Sequence, residues 1–304
     1  MRRITIFILF LLVAVTWGTT WIAMKIALES IPPVFATGMR FLFSAPLLII
    51  IAWVKKIPFL FPVGQRLFQL AISIFYFAIP FSLMIYGEVY VNPGLASIIF
   101  ANMPVAVLIA SFLFLNEKTN SIQITGLIIA LASLSFILIT EARERTESQW
   151  TGVVALSSAV IIHAIVYTQC KKRCCTVSVI SFNALPCFIA GIILSLVGSF
   201  FERPQLSAFS LHSILATMYL GCFAGVFGIL CYFSLQKRAS AFQASLVFLI
   251  FPLIAVSLES YIYGKTISTY SILLIPPLVI GMFLTLIQKN PVIDKCNMNN
   301  KMNS

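Results

Sequence analysis

The stretch TWGTTWIAMK (Thr16–Lys25) decides the fold. It follows Arg2, Arg3 and the apolar run 4–15, which together read as the charged and hydrophobic parts of a secretory signal. If the chain were cut here, both tryptophans would belong to a discarded leader. If not, they continue a membrane helix. No small-x-small site follows the run, apolarity continues to Met24, and the segment has a counterpart at 162–171, IHAIVYTQCK. These features favour retention, with Thr16–Lys25 as the later part of a first span. Trp17 and Trp21, four apart, share one helix face that Lys25 extends.

The chain of 304 residues is 60% hydrophobic and 10% charged, against about 25% charged in ordinary soluble domains. So much apolar surface requires lipid or other apolar helices around it. The net charge of +11 lies in short clusters between apolar runs, not on a basic face with interleaved aromatics, so nucleic acid is not an expected partner. The seven cysteines form no disulfide framework, and Cys174–Cys175 lack the CxxC or histidine pair of a metal site. No metal and no cofactor are expected.

Apolar runs of spanning length fall at 4–24, 34–53, 67–87, 93–115, 120–140, 151–170, 177–200, 211–235, 239–263 and 267–288. The runs are continuous rather than alternating, which excludes a β-barrel. With the N-terminus inside, 14 of the 20 Lys and Arg fall on the inner side, five on the outer, and Arg40 within a span. This bias predicts ten helices with both termini cytoplasmic.

The halves repeat. ASIIFANMP (96–104) matches ASLVFLIFP (244–252), a shift of 148 that superposes Pro104 on Pro252. TWGTTWIAMK matches 162–171 at a shift of 146, pairing Trp17 with His163 and Trp21 with Tyr167. Five spans per half is an odd number, so the second half enters from the opposite side. Inverted repeats of this kind are a transporter architecture, with the substrate site at the interface of the halves.

On WGTTWIAMK (17–25), FATGMRFLF (35–43), VNPGLASIIFANMPVAVLIASFLFLNEK (91–118) and the second copy at 219–265, the chain resembles the drug/metabolite transporter superfamily, EamA type. The resemblance implies an all-α integral membrane protein, ten transmembrane helices in two inverted five-helix repeats. It also implies uptake or export of small organic solutes. The repeats are expected at 1–141 and 150–289, with a polar cytoplasmic tail at 290–304. The pattern departs at Lys265, which stands opposite Glu117, and at His163, Glu88 and Glu259.

Polar residues within spans are expensive and mark candidate paths. Arg40 is read either as snorkelling to the headgroups or as lining a cavity, countered by Glu29 or Glu88. His163 is read as a proton relay or as a packed neutral imidazole. Glu259 is a functional carboxylate or an interfacial partner of Lys265. ESYIYGKT (259–266) is not a phosphate loop, since it lacks the first glycine and ends an apolar helix. Asn102 is mid-membrane beside Pro104, and Pro104 and Pro252 are candidate kinks that free carbonyls. Gly221, Gly225 and Gly228 read as close helix packing. Trp17, Trp21, Tyr167 and Tyr232 are candidate aromatic walls for the path.

The expected function is alternating-access transport of an amino acid, related metabolite or drug-like solute across a bacterial inner membrane. The expected partners are the lipid bilayer, that solute and a proton or counter-solute; a homodimer stays open. The chain is not expected to be an enzyme, because no HxxxxD or DxxxD cluster occurs. A lipid- or isoprenoid-acting membrane enzyme and a passive channel are the alternatives.

Overall fold

The computed structural model describes residues 2–115, 120–142, 148–173, 177–238, 247–264 and 268–285, and among these there are helices and no strands. Ten helical spans follow in order. They are α1 (Arg2–Ala27), α2 (Pro33–Val54), α3 (Arg66–Tyr90), α4 (Pro93–Phe114), α5 (Ser121–Ala142), α6 (Ser148–Arg173), α7 (Val179–Phe201), α8 (Leu211–Leu235), α9 (Val247–Tyr263) and α10 (Thr269–Thr285). Seven are long and apolar enough to cross a bilayer over their described length, and the apolar parts of α5, α9 and α10 are shorter. The 26 residues of α1 rise about 39 Å, more than the ~30 Å hydrocarbon core. The leading stretch therefore belongs to a continuous first helix.

Local chemistry sets the boundaries. Pro33 and Pro93 open α2 and α4 at positions where a missing N–H is harmless. Ser178, Ser210 and Ser268 cap α7, α8 and α10 by accepting the N–H of the residue three further on, at 3.0–3.1 Å. Asn120 and Gln123 form a reciprocal capping box on α5. Lys56 and Arg203, just past α2 and α7, both adopt left-handed backbone, φ 52° and 47°. They end equivalent helices in the two halves in the same way.

The packing has an approximate two-fold pattern in which each helix exchanges with the one five later. The pairs α2–α7, α4–α9 and α5–α10 map onto themselves; α3–α6 maps onto α1–α8, and α1–α9 onto α4–α6. The α2–α7 seam is closest. A Cβ on Gly38 would lie 2.6 Å from the Ser195 nitrogen, and one on Gly198 2.8 Å from Phe35 Cα, so the backbones nearly touch. Outward faces carry large apolar side chains such as Phe7, Leu196 and Phe200, as a lipid-facing belt requires.

Two irregularities refine the expected helices. Segments of α3 (Ser73–Ala78) and α8 (Tyr219–Gly228) are wound as π-helix, and Ser73 and Tyr219 correspond at the repeat shift of 146. The helix α4 breaks at Asn102, between Pro93–Ala101 and Met103–Leu115. Asn102 donates its N–H to Ile99 O, a tightened turn, because the following Pro104 cannot donate to Phe100 O.

For convenience, the distal face is the end carrying the 1–2, 3–4, 7–8 and 9–10 connections, and the terminal face is the end nearer the termini. On the distal face the Glu202 carboxylate accepts Val34 N–H (2.9 Å) and Phe35 N–H (2.8 Å). Ser210 N–H donates to Ser30 Oγ (2.9 Å), and Ser213 Oγ donates to Ile26 O (2.8 Å). On the terminal face Ser181 Oγ donates to Pro58 O (2.5 Å) and Gln65 Nε2 to Arg173 O (3.1 Å). Each face is thus latched by hydrogen bonds between the two halves.

Candidate functional site

Three residues picked from the sequence meet in the middle of the bundle, joined by two phenylalanines. Trp21, 2% exposed, packs on Phe100 (5.6 Å between centroids) and Phe251 (6.4 Å). Phe100 presents itself at 90° to His163 (5.7 Å), and Phe81 meets the same imidazole at 88° (5.3 Å). The Arg40 guanidinium lies over the Phe81 ring, 4.8 Å from its centroid. Phe81 and Phe100 carried no signal in the sequence beyond being apolar, although Phe100 lies inside the repeated ASIIFANMP.

His163 Nε2 is 3.0 Å from Tyr76 O. A carbonyl only accepts, so this nitrogen bears the hydrogen. Pro80, four residues on, has no N–H to compete for that carbonyl. Tyr76 lies within the π-wound part of α3 and stacks edge-on against the imidazole at 5.0 Å. Nδ1 has no partner among the described residues. Trp17, the repeat counterpart of His163, likewise packs against the π-bearing helix of the other half: it meets Tyr232 of α8 at 4.8 Å, with Gly228 against its edge.

The remaining candidates are spread more widely. Asn102 is buried, with Nδ2 donating to Ile98 O (3.0 Å) and Oδ1 without a partner among the described residues. Tyr167 is 43% exposed, in contrast to its counterpart Trp21. Pro104 opens the second part of α4, while Pro252 is buried in α9 beside Ile98 and Ala101 of α4 and Leu278 of α10. Glu117, Lys265, Cys174 and Cys175 lie outside the described residues. Gly221 and Gly228 sit against α2 and α1, as close packing predicts.

Toward the distal face the charged side chains gather. Arg40, 9% exposed, has Nη1 at 3.9 Å from Met24 Sδ, a weak acceptor. Glu259, more deeply buried at 3% exposed, accepts Gly94 N–H at 2.6 Å and so caps α4 from α9. Helix N-termini favour an acidic group in this position. Glu88 is 0% exposed, and neither of its oxygens has a partner among the described residues. Among the described residues, Lys25, Glu259 and Arg40 are the charged groups that interact with it electrostatically. In the sequence Glu88 stands just past the run 67–87, as a departure from the family pattern and a counter-charge for Arg40; that it would be sealed without a donor is not visible there.

Two five-helix halves packed about a two-fold pattern, with charged and aromatic side chains buried between them, define a multi-pass membrane transporter fold. The chain belongs to the EamA-like transporter family, whose pattern matches residues 4–139 and again 150–287. It is 71% identical over 300 residues to "Protein PagO" of Salmonella typhimurium, covering 98% of this chain and 99% of that protein. An "Uncharacterized transporter" of Buchnera aphidicola subsp. Schizaphis graminum is 57% identical, covering 95% and 97%. A crystal structure covering 98% of both chains superposes with a TM-score of 0.67 at 14% identity, a likeness of fold.

Proposed function

We propose that the protein is a secondary transporter that moves a small organic metabolite across the bacterial inner membrane by alternating access. In this reading both termini are cytoplasmic, the repeats occupy 1–141 and 150–289, and 290–304 is a polar cytoplasmic tail. The observation that carries it is the two-fold packing together with a latch between the halves at each face. Two arrangements related by that pattern, one latch open in each, differ little in free energy, as a carrier requires. The basic residues clustered toward the terminal face support the orientation.

The buried site suits a solute with an aromatic or apolar body and few charges. Trp21, Phe100 and Phe81 offer ring surfaces and Arg40 a cation. Amino acids, related metabolites and drug-like compounds fall in that class, and a proton or a counter-solute supplies the driving force. The test is counterflow in proteoliposomes against a metabolite panel. A carrier gives saturable exchange accelerated by internal solute; linear, unsaturable flux would sink the reading in favour of a channel.

A further inference from the structure

Glu88 is a charge-bearing group for which the packing provides nothing. Its side chain is wholly enclosed near the distal end of α3, and no N–H or O–H among the described residues reaches either oxygen. An ionised carboxylate moved from water to such a place costs many kcal/mol, whereas a neutral acid costs far less. Two cations are close by and neither is bonded to it. Arg40 is turned to the Phe81 ring and Met24 Sδ, and Lys25 makes no hydrogen bond to it.

The contrast with Glu259 sharpens the point. Both are glutamates in the distal third of the bundle, close enough to interact electrostatically. Glu259 sits at a helix N-terminus and accepts a backbone N–H, surroundings that suit a carboxylate. Glu88 has neither. Paired carboxyls in such unlike surroundings divide into one anion and one acid.

Among the described residues, the groups that interact with Glu88 electrostatically are Lys25 of α1, Arg40 of α2, and Glu259 and Tyr263 of α9. On α3 itself Tyr86 and Tyr90 are hydrogen-bonded to each other at 3.2 Å. The sequence of α4 holds no titratable residue, and α6 holds only His163, in mid-span, before Tyr167.

We propose that Glu88 is a proton-binding site of the transporter, loaded as the neutral acid in the arrangement seen here and emptied when the distal face opens. This rests on the transporter reading for the opening. On opening, the O–H bond breaks, the proton passes to water admitted from the distal side, and the electron pair stays on a carboxylate that Lys25 and Arg40 then neutralise. Reclosure requires a proton taken back from water, because an unpaired anion resists burial. No electron transfer is involved, and the ligand is the proton itself.

The test is infrared spectroscopy of the full chain in lipid vesicles through a pH series, reading the C=O stretch of protonated carboxyls. The expected result is an acid band that fades reversibly as pH rises, is lost in Glu88→Gln and persists in Glu259→Gln. The proposal is overturned if Glu88→Gln leaves the acid bands intact, or if the Glu88 band does not respond to pH while the protein stays folded. Should Glu88→Gln fail to insert, Glu88→Asp must shift the frequency and midpoint of the band, and an unshifted band overturns the proposal equally. The measurement needs no solute. A failed counterflow panel would thus remove the transporter reading while the band still decides whether Glu88 binds a proton.

Discussion

Glu202→Ala removes the acceptor that holds the first turn of α2 to the end of α7. The amides of Val34 and Phe35 belong to the first turn of a helix, where N–H groups have no partner within the helix. In this structure the Glu202 oxygens receive both, at 2.9 and 2.8 Å. A hydrogen bond to a charged group contributes about 1.5–3 kcal/mol, and loss of a helix cap about 0.5–2 kcal/mol. The two bonds share one carboxylate that is only partly buried, so the low end applies, about 2 kcal/mol for the pair. At 1.4 kcal/mol per factor of ten, that is roughly 30-fold in the equilibrium between latched and open distal ends. Hydrogen–deuterium exchange of the reconstituted protein reads this directly. Protection at residues 34 and 35 should fall by that factor in Glu202→Ala and by less in Glu202→Gln, which keeps one acceptor. Protection at Ala36, whose N–H bonds to Pro32 O, should fall less. Unchanged protection at 34 and 35 in Glu202→Ala would show that the carboxylate does not close this face.

Four further outcomes follow from the same geometry. Pro80→Ala restores an N–H that competes for Tyr76 O, so it and His163→Phe should be non-additive by at least about 0.5 kcal/mol in a double-mutant cycle read by unfolding in mixed micelles; simple additivity would break the link between them. Gly221→Leu drives a side chain into Arg40 O and the Phe43 Cβ, 2.9 Å from where its own Cβ would be, and should cost about 1–3 kcal/mol or more, seen as a lowered thermal midpoint. Lys56→Gly relieves left-handed backbone at φ 52° and should raise the midpoint by the equivalent of about 1 kcal/mol, with no change in helix content by circular dichroism. Lys55 caps α2 where Glu202 caps α7, so Lys55→Glu offers the terminal face a carboxylate clamp; cysteine-labelling at that face should slow relative to wild type, and unchanged labelling would refute the equivalence.

Much of the architecture was legible because it rests on quantities a sequence displays directly. Span length and the Pro104–Pro252 correspondence follow from residue type and spacing. The π-wound segments were not legible, since they depend on how α3 and α8 pack. Pro80 marks one only once the distant His163 is known to take the carbonyl for which it cannot compete. Trp17 and Trp21 share a face as helical spacing demands, yet they pack on different helices, α8 for one and α4 with α9 for the other. In the sequence Glu202 is simply an acid beside Arg203; its capping of α2 joins residues 168 apart. The site was legible only in part. Arg40, His163 and Trp21 stood out as polar or aromatic residues within spans, but the phenylalanines that bring them together looked like any other apolar residue.

The two latches are related by the fold but not by their chemistry, and this bears on how the cycle is biased. At the distal face a carboxylate closes on two helix amides, and a second, Glu259, closes on Gly94 N–H. At the terminal face the described bonds between the halves run from a hydroxyl and a carboxamide to carbonyl oxygens. Charge-assisted bonds are roughly twice as strong as neutral ones. Two halves of identical sequence would sit with both arrangements equally populated, and divergence at positions 55 and 202 breaks that balance in favour of a closed distal end. In the proposed alternating-access reading, a solute entering from the terminal side would then meet the more populated conformation. In that reading the free energy needed to open the distal end would come from solute binding at the ring and Arg40 surfaces, or from the proton proposed at Glu88. Glu88 is well placed for the second route, because an anion there would face Glu259, whose carboxylate holds one of the bonds that must break.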